Sequence, residues 1–263
     1  MTQCELDNYS SYTSGQVILS PTTTPTPTWN PYVAELNRLN TTLTVNAAAE
    51  AVASVTTGNF AGFYRHFGVS GKLQSGTGYN TGYSNRNVFS VDLVDIGGLT
   101  DLAMSVGSEA TESDGWTKGL YFRFARTTVG AGVNWDVFVR WRYFDGISNQ
   151  FQEVQVLTNK LKADLYATYQ IEFYNPVYSS PSILFGRIEW EWKATIDGLV
   201  VANSSATNPK ASWEFLNYDL CNLTGITVTG QDVVNPGMSF TVDNFGIGLN
   251  GDLSCLPSPV PPP

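Results

Sequence analysis

The sequence predicts an all-β protein, an antiparallel two-sheet β-sandwich of the jelly-roll type with an extended N-terminal arm and a proline-rich C-terminal tail. Two observations lead to this class. From residue 59 onward, short runs of alternating apolar and polar residues are separated by turn clusters such as GG, SDG, DG, NP and PG. The composition also favours sheets, because aromatic residues make up 13% of the 263 residues and charged residues only 14%.

The N-terminal part, residues 1–45, has the character of an extended arm or linker. The stretch SPTTTPTPTWNP within it places prolines among threonines, which favours extended chain and disfavours helix. Such a segment buries too little apolar surface to become ordered by itself. We therefore expect it to contact other chains of an assembly through Trp29, Tyr32 and Val33. Residues 46–58 are rich in alanine near their start and predict a short helix or connector.

Residues 59–255 form the predicted sandwich, and residues 256–263 form a stiff exposed tail. Ten or more runs have the length and residue types of strands, among them VFSVDLVDI, GLYFRFART, NWDVFVRWRYF, TYQIEFYN and SILFGRIEWEWKATI. So many strands with almost no helix predict two packed antiparallel sheets. Asp197-Gly198 predicts a tight hairpin with a type I′ turn. For the tryptophans of the strands we expect placement in the core or scattered on the surface, without a role in ligand binding: Trp135, Trp141, Trp190 and Trp192.

The stretch RIEWEW places Glu189 and Glu191 two residues apart, on one face of a strand. Their carboxylates would stand about 6.5–7 Å apart, near the separation that glycosidases use. Arg187 and Lys193 share that face, and such cations favour ionised carboxylates, whereas a general acid must hold its proton. We therefore expect both glutamates on a solvated sheet face, with catalysis by them as the weaker alternative. The opposite face of the strand should point inward: Ile188, Trp190 and Trp192.

Four stretches of the body share a pattern with one known group of proteins. They are FSVDLVDI, GLYFRFA, YQIEFYN leading to WKATIDGLVV, and FTVDNFGIGLNG. Over roughly residues 60–255, the sequence resembles the concanavalin A-like lectins and glucanases, in their laminin-G-like branch. The resemblance implies a jelly roll that binds or cleaves carbohydrate. The glucanase branch carries a Glu-x-Asp-x-Glu type of strand, and here Lys193 stands where the third acid is expected, so the pattern disfavours hydrolysis.

Candidate ligand contacts fall outside these glutamates. Asp243 and Asn244 offer oxygen ligands of the kind that lectin-like relatives use for calcium. Calcium takes six to eight oxygens, so we predict no cofactor and keep this site as the weaker alternative. Tyr79, Tyr83 and Trp116 lie in loops rich in Gly, Ser and Asn, where they could stack on a glycan or meet a protein partner. Scattered surface or core placement of these rings is the equal alternative.

The charge and the cysteines restrict the functional classes. A net charge of −9 with one histidine and no basic stripe argues against nucleic acid as a partner. We find no signal peptide and no apolar run that could insert into a membrane. Three cysteines predict free thiols of a reducing cytoplasm, and pairing of Cys221 with Cys255 is the alternative.

Together these observations predict a non-enzymatic structural or adhesive protein. We expect a virion surface component of the capsid-decoration, head-fibre or tail-fibre type, made in the host cytoplasm. Its partners are other subunits of an oligomeric particle, with a cell-surface glycan as a further partner. The alternative is a secreted or surface carbohydrate-binding module in an extracellular setting, and a glycoside hydrolase is the weakest of the three classes.

Overall fold

The computed structural model describes residues 4–19, 29–31, 41–55, 60–66, 86–107, 119–129, 132–179, 185–216, 225–231, 239–248 and 253–257. Within these ranges the chain forms seventeen β-strands and one 3-10 helix, Lys162–Leu165. The strands are β1 (Cys4–Asp7), β2 (Val17–Leu19), β3 (Trp29–Pro31), β4 (Thr41–Val45), β5 (Ala51–Val55), β6 (Phe60–His66), β7 (Arg86–Asp95), β8 (Asp101–Gly107), β9 (Gly119–Val129), β10 (Gly132–Phe144), β11 (Asn149–Lys160), β12 (Thr168–Ser179), β13 (Phe185–Ile196), β14 (Leu199–Asn203), β15 (Ala211–Leu216), β16 (Gly225–Gln231) and β17 (Ser239–Gly248).

The strands form two sheets. The ten-stranded sheet has the order β14-β13-β12-β7-β17-β5-β4-β2, with β1 also paired to β17 and β15 also paired to β13. The seven-stranded sheet has the order β11-β10-β9-β8-β16-β6-β3. Each pairing between the described strands is antiparallel. The predicted all-β, antiparallel two-sheet sandwich is confirmed. Among the described residues, no helix has the length and apolar character that a membrane crossing requires.

Aromatic rings join the two sheets across the core. Trp141 of β10 and Trp192 of β13 are fully buried, and their ring centroids lie 4.6 Å apart. Tyr169 of β12 meets Phe122 and Phe124 of β9 edge to face, at centroid distances of 5.1 and 5.0 Å. Such pairs contribute about 0.5–1.5 kcal/mol each beyond the apolar area that they bury. The high aromatic content of the sequence is therefore used where the sheets meet.

Strand β13 alternates as predicted from its period of two. Its inward residues are fully buried: Trp190, Trp192 and Ala194. Its outward residues are partly exposed: Glu189, Glu191 and Lys193. The side chain of Ile188 lies outside the described residues. The strand ends in the predicted hairpin to β14, where Asp197 and Gly198 have φ values of 48° and 78°, as a type I′ turn requires.

The expectation of a separate N-terminal arm needs correction. Within residues 1–45, strands β1, β2 and β4 pair into the ten-stranded sheet, and β3 pairs with β6 of the seven-stranded sheet. The run TTLTV of β4 alternates with period two, and its Leu43 and Val45 are buried in the core. Such alternation is typical of a strand in a sheet, and β4 belongs to the sandwich although the prolines before it favour an extended arm. Trp29 is in β3, but its side chain lies outside the described residues, as do Tyr32 and Val33.

The expected short helix is also corrected, because residues 46–50 form the turn of a hairpin between β4 and β5. The Asn46 side-chain oxygen accepts hydrogen bonds from the backbone N–H groups of Ala48 and Glu50, both at 2.9 Å. Ala49 takes a positive φ of 63°, which helical residues do not. Side-chain bonds of this type compete with helix formation, and only three alanines stand in a row.

One disulfide joins Cys4 to Cys255 across a sequence separation of 251, with the two Cα atoms 5.7 Å apart. Both sequence expectations for the cysteines are therefore wrong, since neither three free thiols nor a bond between Cys221 and Cys255 fits this pairing. The physical reason is the pairing of β1 with β17, which brings the start of the chain beside its C-terminal segment. Cys221 itself lies outside the described residues.

Candidate ligand-binding groove

A groove of about 320 Å³ lies on the outer face of the ten-stranded sheet, a volume in the range of small-molecule sites. Strands β7, β12 and β13 form its floor, and the C-terminal segment, residues 253–257, forms one wall. The floor residues are Arg86, Val88, Gln170, Glu172, Lys193 and Thr195. The remaining lining residues are Gly198 of the β13–β14 turn and, on the wall, Leu253, Leu256 and Pro257.

Alternation along β12 creates the floor. Ile171 and Phe173 point into the core, so Gln170 and Glu172 point to the outer face. The strand register then sets their neighbours. Glu172 lies between Val88 of β7 and Lys193 of β13, and Gln170 lies between Ser90 and Thr195 of the same two strands. The outer face thus carries one charged row and one neutral polar row side by side.

The charged row is built around Glu172. Arg86 Nε lies 2.6 Å from one carboxylate oxygen of Glu172, and Lys193 Nζ lies 2.6 Å from the other. The Glu172 side chain is 11% exposed, whereas those of Arg86 and Lys193 are 48% and 31% exposed. Burial would raise the pKa of Glu172, but the hydrogen bonds from Lys193 and Arg86 outweigh it and hold the pKa below its ordinary value. Glu172 is therefore ionised and accepts hydrogen bonds.

The neutral row offers an amide and hydroxyl groups whose directions are fixed. Gln170 Nε2 donates to Ser90 Oγ at 3.3 Å, and Thr195 Oγ1 donates to Gln170 Oε1 at 3.4 Å. Each side chain therefore has a defined orientation before any ligand arrives, which lowers the entropy cost of binding. These groups can both donate to and accept from the hydroxyls of a ligand.

The C-terminal segment supplies the apolar side of the groove. The disulfide holds it in place, and the Cys255 N–H donates to Cys4 Sγ at 3.0 Å. A backbone bond from Leu256 N–H to Leu253 O at 3.1 Å closes a turn within it. Residues 256–263 were expected to form an exposed tail, but Leu256 and Pro257 are partly buried and line the groove. Residues 258–263 lie outside the described chain.

Glu189 and Glu191 lie further along the outer face of β13 and do not line the groove. Glu191 is 3.4 Å from Lys210 Nζ and accepts a hydrogen bond from Asn175 Nδ2 at 3.1 Å. Glu189 lies opposite Val177 and Ser212 in the strand register. Their predicted place on a partly solvated sheet face is confirmed. That they have no catalytic role stays a prediction.

Asp243 and Asn244 lie at an irregularity in the pairing of β17 with β7. Asn244 has a φ of 47°, and its Nδ2 donates to Asp92 Oδ2 at 2.7 Å. Burial raises the pKa of Asp243, and nearby negative charges add to this effect: Asp92, Glu50 and Asp7. No group of three or more His, Cys, Asp or Glu side chains within the described ranges has the arrangement of a metal site. Calcium binding here stays a prediction, and the loop residues Tyr79, Tyr83 and Trp116 lie outside the described residues.

A second ionisable cluster lies on the outer face of the seven-stranded sheet. Arg123 is 3.3 Å from Asp101 and 3.5 Å from Glu153. Burial raises the pKa of Asp101 to about 6 in spite of the attraction of Arg123. Burial would lower the pKa of Arg123, but the two carboxylates raise it. The two carboxylates thus favour the charged form of Arg123, whereas burial disfavours the charged form of Asp101.

The strands that form the groove floor were predictable from the sequence, but the groove itself was not. The alternation of YQIEFYN places Glu172 and Gln170 on one face, which the sequence does show. The neighbours of β12 depend on the strand order, in which β12 lies between β7 and β13. No local pattern gives that order, and none gives the disulfide that positions the wall. Arg86, Gln170, Glu172 and Lys193 were therefore missed as site residues.

Comparison with known proteins gives structural neighbours only. No family model matches the chain, and no curated protein matches it. A β-glucanase from Bacillus licheniformis is 12% identical, with 94% of this chain and 97% of its own covered and a TM-score of 0.36. Peanut lectin with a nine-residue peptide is 10% identical, with coverage of 94% and 98% and a TM-score of 0.40. The catalytic domain of an endo-1,3-β-glucanase (laminarinase) from Thermotoga petrophila is 8% identical, with coverage of 93% and 95% and a TM-score of 0.40.

These neighbours are lectins and glucanases of the concanavalin A-like group that the sequence resembles. At such TM-scores and identities, the likeness carries no argument about activity.

Proposed function

We propose that this protein is a non-enzymatic, lectin-like carbohydrate-binding protein whose ligand lies in the groove on the outer face of the ten-stranded sheet. One observation carries the proposal, namely the row of oriented polar groups beside an apolar wall. Sugar hydroxyls donate and accept hydrogen bonds, and Gln170 and Thr195 offer both. The C–H faces of a sugar ring are apolar, and Leu256 and Pro257 present apolar surface to them. The arrangement fits both properties of a sugar.

We propose binding without catalysis because the Glu172 carboxyl group is ionised. Hydrolysis of a glycosidic bond needs one carboxylic acid that holds its proton and a second carboxylate across the bond. Among the described residues of the groove lining, Glu172 alone carries a carboxyl group. Its lowered pKa keeps it ionised, so it cannot serve as the acid. This supports binding without cleavage.

The setting we propose is a surface exposed outside a cell, as part of a virion or of another oligomeric particle. In the alternative the protein is a secreted carbohydrate-binding module, and the disulfide favours this setting because such bonds persist in oxidising compartments. Tyr79, Tyr83 and Trp116 would add glycan or partner contacts in either setting. Copurification with capsid or tail proteins would favour the particle, and recovery from culture medium without them would favour the module.

A glycan array followed by calorimetry, together with a reducing-sugar assay, tests the proposal. We expect micromolar to millimolar dissociation constants, roughly −4 to −8 kcal/mol, and no product. Gln170→Ala should weaken binding at least tenfold because it removes both hydrogen-bonding groups at the centre of the neutral row. The matched control is Gln155→Ala, on exposed strand β11 of the other sheet, which should bind as the wild type does.

Three results would contradict the proposal. Release of product would show an enzyme. Equal losses in the two glutamine variants would remove the link to the groove. Loss of binding in Trp116→Ala with full binding in Gln170→Ala would move the site to the loops.

A further inference from the structure

The groove has a local charge opposite to that of the whole chain. Its described lining holds two cations, Arg86 and Lys193, and one carboxylate, Glu172, whereas the chain has a net charge of −9. The cations come from the two strands that flank β12, so they stand on either side of Glu172. The described lining therefore carries one more positive than negative charge, which the binding of a neutral sugar does not require.

The geometry of the charged row leaves Lys193 able to take a second anion. Its Nζ is an ammonium group with three hydrogen-bond donors, and one direction is used by Glu172 at 2.6 Å. The side chain is 31% exposed and lies in the groove lining. Charge-assisted hydrogen bonds are roughly twice as strong as neutral ones. A ligand carboxylate can therefore bind Lys193 while Lys193 keeps its bond to Glu172.

Resting on the proposed function, we propose that the groove selects acidic sugars, in which a carboxylate lies against Lys193 and Arg86 and the ring hydroxyls lie against Gln170 and Thr195. The neutral row by itself binds any sugar of suitable shape. The charged row then adds a preference for uronates over neutral sugars. If instead Arg86, Glu172 and Lys193 only hold three strands together, which cross-strand ion pairs also do, the preference is absent and only stability depends on them.

The test uses two matched pairs of probes: trigalacturonate and trimannuronate, each with its fully methyl-esterified form. Esterification removes the negative charge and keeps the rings and all of their hydroxyls. We expect at least one acidic trimer to bind at least tenfold more tightly than its ester at 50 mM NaCl. The ratio should fall several-fold at 300 mM NaCl, because salt screens a partly exposed charge pair.

Substitutions in the groove test whether the preference for acidic sugars arises there. Lys193→Gln should reduce the ratio of acid to ester to below about threefold, because the lost ammonium group contacts the carboxylate that only the acid carries. Arg86→Gln should reduce the same ratio and serves as a second variant if the first is unstable. The control is Lys210→Gln, which removes a partly exposed lysine that pairs with Glu191 outside the groove and should keep the full ratio.

The outcomes separate this inference from the proposed function. Equal binding of an acid and its ester, or a full ratio in Lys193→Gln, would overturn the acidic preference and leave carbohydrate binding intact. If neither form of either trimer binds and the glycan array is empty, both fail. A neutral array ligand that depends on Gln170 but outcompetes both uronates would also overturn the preference alone.

Discussion

Glu172 and Asp101 are outer-face carboxylates whose pKa values are displaced in opposite directions. Glu172 has cations at 2.6 Å on both oxygens, and its pKa is lowered. Asp101 has Arg123 at 3.3 Å, and burial raises its pKa to about 6. Because the Glu172 pKa is lower in the folded state, its stabilisation is present above the unfolded value of about 4.3 and is lost as pH falls through the folded value. The contribution of Asp101 to stability changes with pH in the opposite direction, because its raised pKa makes folding less favourable as pH rises through about 6.

We predict from this that Asp101→Asn stabilises the protein more at pH 7.5 than at pH 4.5, by about 2 kcal/mol. The asparagine has no carboxylate to ionise, so it avoids the cost that the wild type meets above pH 4. Urea unfolding of both proteins at the two pH values measures the difference. Glu153→Gln, which alters the more exposed partner of the same Arg123, is the control and should show a smaller change. A pH-independent difference for Asp101→Asn would mean that the carboxylate ionises freely in the fold.

At the scale of elements, the hairpin of β4 and β5 and the strand β13 show what the sequence could and could not predict. Strand β13 was predictable because tryptophans and charges alternate over its length, so one register alone buries the rings. The β4–β5 hairpin was not, because an alanine run favours helix when tertiary contacts are ignored. In the fold, Ala51 and Ala53 are fully buried in the core. Packing in the core, and not the helix propensity of alanine, therefore determines that this segment forms a strand.

The turn of this hairpin gives a prediction about stability. Ala49 has a φ of 63°, a left-handed conformation that costs a residue with a Cβ atom about 1–2 kcal/mol. Ala49→Gly should therefore raise the free energy of unfolding by about 0.5–1 kcal/mol, after the entropy that glycine loses on folding. Ala48→Gly in the same turn is the control, and it should give no gain because the φ of Ala48 is not positive. Chemical denaturation of the two variants distinguishes them, and equal effects would contradict the assigned turn conformation.

At the scale of the whole molecule, the Cys4–Cys255 disulfide closes almost the entire chain into a loop. Its removal in Cys4→Ser/Cys255→Ser frees the unfolded chain and should lower the free energy of unfolding by about 3–5 kcal/mol. For a chain of this size, the melting temperature should fall by roughly 10 °C. Binding in the groove should weaken as well, because the wall formed by residues 253–257 is no longer held to β1. A reducing agent should lower the melting temperature of the wild type and leave that of the variant unchanged; equal sensitivity in both would show that the bond is not formed.

The same bond determines how tension passes through the molecule. A force that pulls on the chain before Cys4 and after Cys255 follows the shortest covalent path, which crosses the two sulfur atoms. The 250 residues between the cysteines (251 − 1) are bypassed and carry little of the load. The sheets and the floor of the groove would therefore stay folded under a pull from both ends, whereas Leu256 and Pro257 of the wall follow Cys255 and lie in the loaded segment. Reduction of this one bond would make the sandwich itself bear the force.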